Sequence, residues 1–182
     1  MGISRATLAD AHRLSVLARE TFPLACPPGT SPENIALFCE RNLSESSFSF
    51  YLGEESHKIW VATKGDSLVG YVMSIAGEPK DSVIAGVVSR RPTVEISKIY
   101  VASSAQGSGL SSELMSAAIE EAKAQGAASV WLGVNQHNER ANRFYQRWGF
   151  EIVGERTFAV GDSLESDFVR ELILYSFSKV NS

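Results

Sequence analysis

The sequence predicts a single domain of the mixed α/β class, and three observations support this prediction. Segments with apolar residues at helical spacing alternate with short runs rich in β-branched and aromatic residues. The length of 182 residues is enough for one well-packed domain and short for two. No internal repeat, low-complexity tract or linker divides the chain. One mixed α/β domain over residues 1–182 is therefore expected.

The first half of the chain predicts two helices and a β-hairpin. Residues 7–22, TLADAHRLSVLARETF, carry apolar side chains at roughly helical spacing, with Thr7 as a candidate N-cap. After a Pro-Pro-Gly break, a second helix is predicted to start at Ser31, with a proline in its first turn. Two β-rich runs then meet at Lys64-Gly65-Asp66, a tight-turn signal. Residues 79–93 are consistent with a strand or an apolar loop, and their periodicity does not decide between the two.

The second half alternates strands and helices. The segment TVEISKIYVA predicts a strand, and GLSSELMSAAIEEAKAQGA predicts a helix that ends near Gly126. SVWLGV is a short apolar strand, and NERANRFYQRWGF predicts a helix that stops at Gly149. Two further strands, EIVGERTFAV and DFVRELILYSF, close the chain.

Composition and charge exclude several classes of protein. Hydrophobic residues make up 44% of the chain and charged residues 21%, as in soluble globular proteins. A formal charge of −4 and the absence of any Lys/Arg run argue against nucleic-acid binding. The chain contains no run of eighteen apolar residues, the length needed to span a membrane, and its N-terminus lacks the apolar core of a signal peptide. Cys26 and Cys39 show no CxxC spacing, so we expect a reduced, cytoplasmic protein with two ordinary thiols. The three histidines have no metal-ligand spacing, so no metal is expected.

A glycine-serine loop, VASSAQGSGLSS, lies between a predicted strand and a predicted helix. The first N–H groups of a helix lack intrahelical partners and carry the positive end of its dipole, so they can bind a phosphate that glycines allow to approach. The alternative is that Gly107 and Gly109 only turn the chain. A P-loop is excluded because no lysine follows Gly109 until Lys123. The dinucleotide fingerprint is excluded because Ser112 stands where a third glycine is needed.

A third phosphate-binding pattern fits. The loop QGSGLS resembles the Gln/Arg-x-x-Gly-x-Gly/Ala segment with which the GNAT acyltransferases bind the pyrophosphate of acetyl-CoA, and it departs from that segment only at Ser111, where the family usually has Gly or Ala. GVNQHNERANRFYQRWGF is similar to the family's Asn-x-x-Ala-x-x-(Phe/Leu)-Tyr-x-x-x-Gly-Phe. The matching residues are Asn138, Ala141, Phe144, Tyr145, Gly149 and Phe150. The chain is identified on these two segments as a member of the GNAT family.

The resemblance implies a more detailed fold and a cofactor site. It implies a central mixed, mostly antiparallel twisted sheet of about six to seven strands, flanked by about four helices. A V-shaped splay is expected between the strands at 94–101 and 129–134, within a cofactor-binding core at about 94–150. The residues implied to bind acetyl-CoA are Ile99, Tyr100 and Val101 through their backbone, the loop residues Gln106, Gly107, Ser108, Gly109, Leu110 and Ser111, and Asn138 and Tyr145.

Two residues are implied to be catalytic. The resemblance places Glu95 beside the acyl acceptor, where a carboxylate can act as general base, since an alkylamine is mostly protonated at neutral pH and only the free amine attacks a thioester. The alternative is a solvent-facing carboxylate. In an extended strand Glu95 shares a face with Ser97, Ile99 and Val101. The resemblance gives Tyr145 the role of acid toward the departing thiolate, and the alternative is a core aromatic.

The predicted function is acetyl-CoA-dependent N-acetylation of a small primary amine. WLGVNQHNERANRFY and GERTFAVGDSLESDFV resemble the bacterial spermidine/spermine N-acetyltransferases, so polyamines are the leading acceptor class. An acidic cluster would suit a cationic acceptor if some of its members lined the cleft; these are Glu151, Glu155, Asp162, Glu165 and Asp167. The alternatives are a protein N-terminal or lysyl acetyltransferase and a non-catalytic CoA-thioester sensor. No nucleic-acid or membrane partner is expected, and the habit of the family suggests a homodimer.

Overall fold

A computed structural model describes residues 2–160 and 162–174, and within them the chain forms one sheet of seven strands. The strands are β1 (Gly2–Arg5), β2 (His57–Lys64), β3 (Ser67–Ala76), β4 (Thr93–Val101), β5 (Ser129–Asn135), β6 (Glu151–Val160) and β7 (Ser163–Ile173). Their order across the sheet is β1-β2-β3-β4-β5-β7-β6. Only β4 and β5 are parallel, and all other neighbours in this described sheet are antiparallel. The predicted mixed, mostly antiparallel sheet is confirmed.

Six α-helices flank this sheet in the described part of the chain. They are α1 (Ala11–Thr21), α2 (Pro32–Asn42), α3 (Glu45–Gly53), α4 (Ser82–Val87), α5 (Leu110–Ala124) and α6 (Glu139–Arg147). The two faces of the sheet are covered by different helices, as neighbouring residues of β3 show. The ring of Tyr71 packs against Phe48 of α3, with 5.7 Å between the ring centroids. The preceding residue, Gly70, faces the other side of the sheet, where a Cβ would lie 3.1 Å from Leu114 of α5.

The local signals in the sequence explain where most elements begin and end. The Ser31 hydroxyl accepts a hydrogen bond from the Asn34 N–H at 3.1 Å and so caps α2 as predicted. The predicted hairpin joins β2 to β3 through Gly65, whose φ of +60° lies in the left-handed region. Helices α5 and α6 end before Gly126 and Gly149, with φ of +77° and +86°. The predicted final strand matches β7, and its residues 175–177 lie outside the described residues.

Three elements differ from the sequence interpretation. Residues 79–93 were predicted to be a strand or an apolar loop, but they contain α4, which Asp81 caps by accepting a hydrogen bond from the Val83 N–H at 2.7 Å. This helix packs with Trp131 and Val169 in a small second core. Such burial outweighs the β propensity of the Val and Ile residues. The edge strand β1 and helix α3 have no counterpart in the sequence interpretation. None of the described helices is long and apolar enough to cross a lipid bilayer.

Candidate active site

The sheet opens between its two parallel strands. Strands β4 and β5 pair over only three residues each, Thr93–Glu95 with Ser129–Trp131. Beyond these residues β4 continues along β3, whereas β5 continues along β7. The described chain therefore leaves one backbone edge of residues 96–101 without a strand neighbour. This is the V-shaped splay that was expected between 94–101 and 129–134.

A β-bulge in β4 decides which side chains lie on the same face of the sheet as Glu95. Ser74 of β3 pairs with Ile96 and Met73 pairs with Lys98, so Ser97 is the extra residue. The extra residue inverts the alternation beyond it, and Glu95 therefore shares a face with Lys98 and Tyr100. The expectation that Glu95 shares its face with Ile99 and Val101 was wrong, because it assumed an unbroken alternation.

One of two clefts along the splay lies beside the glycine-serine loop. We call it the loop-side cleft, and it is lined by Ile99, Tyr100, Val101, Gln106, Ser111, Asn138, Arg140 and Tyr145, among others. The cleft thus brings together seven of the residues predicted to bind acetyl-CoA. Gly107, Ser108 and Gly109 form the turn between Gln106 and Ser111 in the chain, and the Leu110 side chain is buried, leaving its backbone for any contact.

The loop itself has the properties of a phosphate cradle. Gly107 and Gly109 have φ of +79° and +88°, and a Cβ on either would meet no heavy atom within 4 Å. Gly109 is the N-cap of α5 and supplies no side-chain hydrogen bond to the first turn. The Gln106 side-chain oxygen accepts a hydrogen bond from Nη1 of Arg140 at 2.6 Å. These observations leave an open helix N-terminus with a guanidinium nearby, which suits a pyrophosphate.

Helix α6 places two predicted residues at the junction of the clefts. The Asn138 side-chain oxygen accepts a hydrogen bond from the Ala141 N–H at 3.1 Å and so caps α6. Tyr145, about two helical turns further on, is 8% exposed and lines both clefts. Burial raises the pKa of its phenol above the ordinary value, so the hydroxyl stays protonated at neutral pH. It is available there as a proton donor.

The second cleft, which we call the sheet-side cleft, carries most of the charge. It has a volume of about 380 Å³. Its charged lining comprises three carboxylates and two cations, and the Cys26 thiol and the phenols of Tyr100 and Tyr145 also line it. The charged residues are Glu95, Lys98, Arg156, Glu165 and Asp167. Two members of the predicted acidic cluster therefore do line a cleft, whereas Glu151, Glu155 and Asp162 are exposed.

Burial and mutual charge set the ionisation of these groups. Burial raises the pKa of Glu95, and the nearby charges of Arg156, Lys98 and Lys80 oppose that effect. Burial lowers the pKa of Lys98 to about 8, and Glu95 opposes that shift. Burial also raises the pKa of Asp167 against the charge of Arg156. A carboxyl group with a raised pKa beside a cleft is a candidate general base.

Sequence reasoning missed Arg156 and the glycine that accommodates it. Arg156 of β6 pairs in register with Asp167 of β7, and its Nη2 lies 3.4 Å from the Asp167 Oδ2. A Cβ on Gly133 of β5 would overlap the guanidinium of Arg156. A glycine inside an apolar strand is a recognised sign of such a close approach, but it does not say which residue approaches.

Cys26 and Cys39 are free thiols. Burial raises the pKa of Cys26 to about 11, so the thiol that lines the sheet-side cleft is protonated at neutral pH. Among residues 2–160 and 162–174, no group of three or more His, Cys, Asp and Glu side chains has an arrangement that could hold a metal ion.

Comparison with known proteins agrees with this geometry. The model of the acetyltransferase (GNAT) family matches residues 15–150. An uncharacterized N-acetyltransferase of Mycobacterium tuberculosis is 42% identical over 168 residues, which cover 91% of this chain and 100% of that protein. An uncharacterized N-acetyltransferase of Lactobacillus delbrueckii subsp. lactis is 30% identical over 166 residues, 88% of this chain and 90% of that one. The names of these relatives give no acceptor, so particular closeness to polyamine acetyltransferases is not shown.

Solved structures show the same fold. The PaiA N-acetyltransferase of Thermoplasma acidophilum, in complex with coenzyme A, has a TM-score of 0.74 at 17% identity over 96% of this chain and 100% of that one. The ribosomal-protein-S18-alanine N-acetyltransferase of Escherichia coli has a TM-score of 0.69 at 18% identity over 100% of this chain and 98% of that one. The sequence match, the fold and the open loop at α5 agree, and the chain belongs to the GNAT family as an acyltransferase that takes acetyl-CoA as its donor substrate.

Proposed function

We propose that this enzyme acetylates a small primary amine, with Glu95 as general base and Tyr145 as general acid. One observation carries the proposal. Glu95 lines the sheet-side cleft, and Tyr145 lines both that cleft and the loop-side cleft. An amine in the sheet-side cleft would therefore lie between a carboxylate that takes its proton and a hydroxyl that gives one to the leaving group.

The loop-side cleft would hold the donor. The backbone N–H groups that begin α5 and the guanidinium of Arg140 would face the pyrophosphate. The free edge of Ile99 to Val101 would bind the pantetheine amides as a further strand would. When bound, acetyl-CoA supplies the activated acyl carbon and a thiolate leaving group. The core proposed for this binding is residues 94–150.

Glu95 would prepare the acceptor. A primary ammonium reaches the cleft with a proton that must leave before nitrogen can attack, and a carboxylate accepts it directly or through a water molecule. The raised pKa of Glu95 makes it a stronger base than an exposed glutamate. Tyr145 would complete the transfer, because its buried hydroxyl is protonated and can stabilise and protonate the departing sulfur.

The charges of the sheet-side cleft favour an acceptor that inserts one ammonium group. Three carboxylates and two cations give a single formal negative charge. This balance suits one end of a diamine or polyamine, whose remaining amines would lie outside, so polyamines are the first class to test. Residues 79–93 do not line this cleft. Phe38 and Asn42 of α2 line it, together with Phe22 and Cys26 from the segment between α1 and α2.

An acceptor screen tests the proposal. Purified protein with acetyl-CoA would be offered spermidine, spermine, shorter diamines, monoamines, amino acids and peptides, with free thiol as the readout. We expect turnover with small primary amines. Turnover with peptides alone would identify a protein acetyltransferase, and acetyl-CoA binding without turnover on any amine would indicate a sensor. The predicted homodimer and cytoplasmic location stay predictions, which sedimentation and cell fractionation can test.

A further inference from the structure

The side chain of Arg156 crosses the floor of the sheet-side cleft from one strand to the next. It starts on β6, forms an ion pair with Asp167 on β7, and reaches β5, where only the absence of a Cβ on Gly133 makes room for it. Its guanidinium carbon lies 5.9 Å from the ring centroid of Trp131. The Arg156 and Asp167 side chains are 17% and 6% exposed, so solvent screens this pair weakly.

This path brings the guanidinium toward Glu95. Trp131, over which it lies, is the direct partner of Glu95 in the parallel pairing of β4 with β5. Glu95 and Arg156 line the same cleft. Among the nearby charges that lower the pKa of Glu95 against the effect of burial, Arg156 contributes most, ahead of Lys98 and Lys80. Asp167 in turn faces Arg156 and Glu165.

A half-buried base such as Glu95 needs such a neighbour. Burial without a cation favours the neutral carboxylic acid, which cannot accept a proton from an ammonium group. Too close a pairing would tie the carboxylate to the cation and lower its basicity. Asp167 holds the guanidinium through their ion pair, and the charge of Arg156 lowers the pKa of Glu95 from that position.

We propose that Arg156 is a positioning residue for acetyl transfer, held by Asp167 and by the space over Gly133 where its charge keeps Glu95 in the carboxylate form. This role rests on the proposed function, in which Glu95 is the base. Arg156 itself takes no proton, since a guanidinium stays charged throughout the working range of pH.

The test measures the ionisation of Glu95 separately from the reaction. The carboxyl carbon resonance of Glu95 would be assigned in 13C-glutamate-labelled protein by its loss in Glu95→Gln, and then titrated in wild type, Arg156→Gln and Arg156→Lys. We expect the resonance to titrate at higher pH in Arg156→Gln and closer to wild type in Arg156→Lys, which keeps the charge. Arg143→Gln is the matched control, because Arg143 is an exposed arginine paired with Glu139 and lines neither described cleft.

The pH profile of kcat/KM gives the second readout. With a primary amine found in the screen, we expect Arg156→Gln to lose about tenfold in kcat/KM on the acidic limb. The loss should disappear at alkaline pH, where Glu95 is ionised in both proteins. Gly133→Ala keeps the arginine and adds one methyl group, which the flexible end of Arg156 can avoid only by moving. The Gly133→Ala protein should fold. It should shift the titration of the Glu95 resonance and the pH profile of kcat/KM in the same direction as Arg156→Gln, by a smaller amount.

Two results would overturn the inference, and they differ in what they say about Glu95. If the Glu95 resonance titrates identically in wild type, Arg156→Gln and Gly133→Ala, Arg156 does not hold the carboxylate, and Glu95 can still be the base. If the resonance shifts but the rate profile does not follow it, Glu95 is not the base, and the proposed function loses that step together with the role of Arg156.

Discussion

Replacing Tyr145 by phenylalanine removes one hydroxyl from the junction of the two clefts and little else. The ring centroid of Tyr145 lies 5.5 Å from that of Phe144 and 6.0 Å from that of Phe150, and a phenylalanine keeps both contacts. Burial alone shifts the pKa of Tyr145, and no hydrogen bond of its hydroxyl to another described residue contributes. We therefore expect the free energy of unfolding to change by less than about 1 kcal/mol.

The catalytic effect should be much larger than the effect on stability. If the hydroxyl protonates the departing thiolate, its loss should lower turnover by about 10²–10⁴-fold. That factor corresponds to about 3–5 kcal/mol of transition-state stabilisation. Affinity for acetyl-CoA should stay nearly unchanged, because the lost interaction develops only in the transition state.

The assay combines thiol release under single-turnover conditions with calorimetry of acetyl-CoA binding. Tyr71→Phe is the matched control, since Tyr71 is a fully buried tyrosine that lines neither described cleft, and this variant should keep full turnover. Full turnover of Tyr145→Phe, under conditions where chemistry limits the rate, would show that the hydroxyl is dispensable and would refute its role as acid.

Three further predictions concern other parts of the molecule. Glu95→Gln should lower kcat at neutral pH, and kcat should recover in part at high pH, where solvent supplies free amine. A higher KM with unchanged kcat would instead show that Glu95 only attracts the acceptor. Gly109→Val should weaken acetyl-CoA binding at least about tenfold, or roughly 1.4 kcal/mol, by calorimetry. The left-handed φ of +88° at Gly109 should also cost about 1–2 kcal/mol of stability in this variant, and unchanged affinity would place the phosphates elsewhere. Glu171→Gln should cost about 2 kcal/mol of stability, because the buried carboxylate accepts hydrogen bonds from the N–H and hydroxyl of Ser89 and from the Arg90 N–H. Burial alone would raise the pKa of Glu171, but these bonds lower it overall, so the stabilisation is complete above the unfolded-state pKa and is lost as the pH falls through the folded value. Thermal melts of wild type and Glu171→Gln should therefore differ at neutral pH and converge in acid, and equal melting at neutral pH would contradict the prediction.

The sequence by itself determined the turns and helix ends that a few adjacent residues specify. The hairpin at Gly65, the cap at Ser31 and the glycine stops of α5 and α6 each depend on backbone conformations that a few residues specify. The glycine-serine loop belongs to the same class, because an open helix N-terminus needs only small residues before the helix. These features could be predicted from the sequence, and the structure has them where they were expected.

Elements that depend on distant partners could not be assigned in this way. Strand β1 exists because it pairs with β2, some sixty residues away in the chain. The sequence of α4 is apolar enough for a strand. It is helical because Ile84 and Val88 then pack with Trp131 and Val169 in the second core. Their local sequences are compatible with more than one conformation, and tertiary burial selects among them.

The site shows the same division. The resemblance to the GNAT family implied Glu95 and Tyr145 as candidates, since the residues taken alone were equally consistent with a solvent-facing carboxylate and a core aromatic. Which groups act on them was decided by the tertiary structure, because the bulge at Ser97 rotates Lys98 to the face of Glu95 and the pairing of β6 with β7 brings Arg156 there. A sequence specifies each side chain, but its charged neighbours depend on strand register, and register is fixed only when the whole sheet has formed.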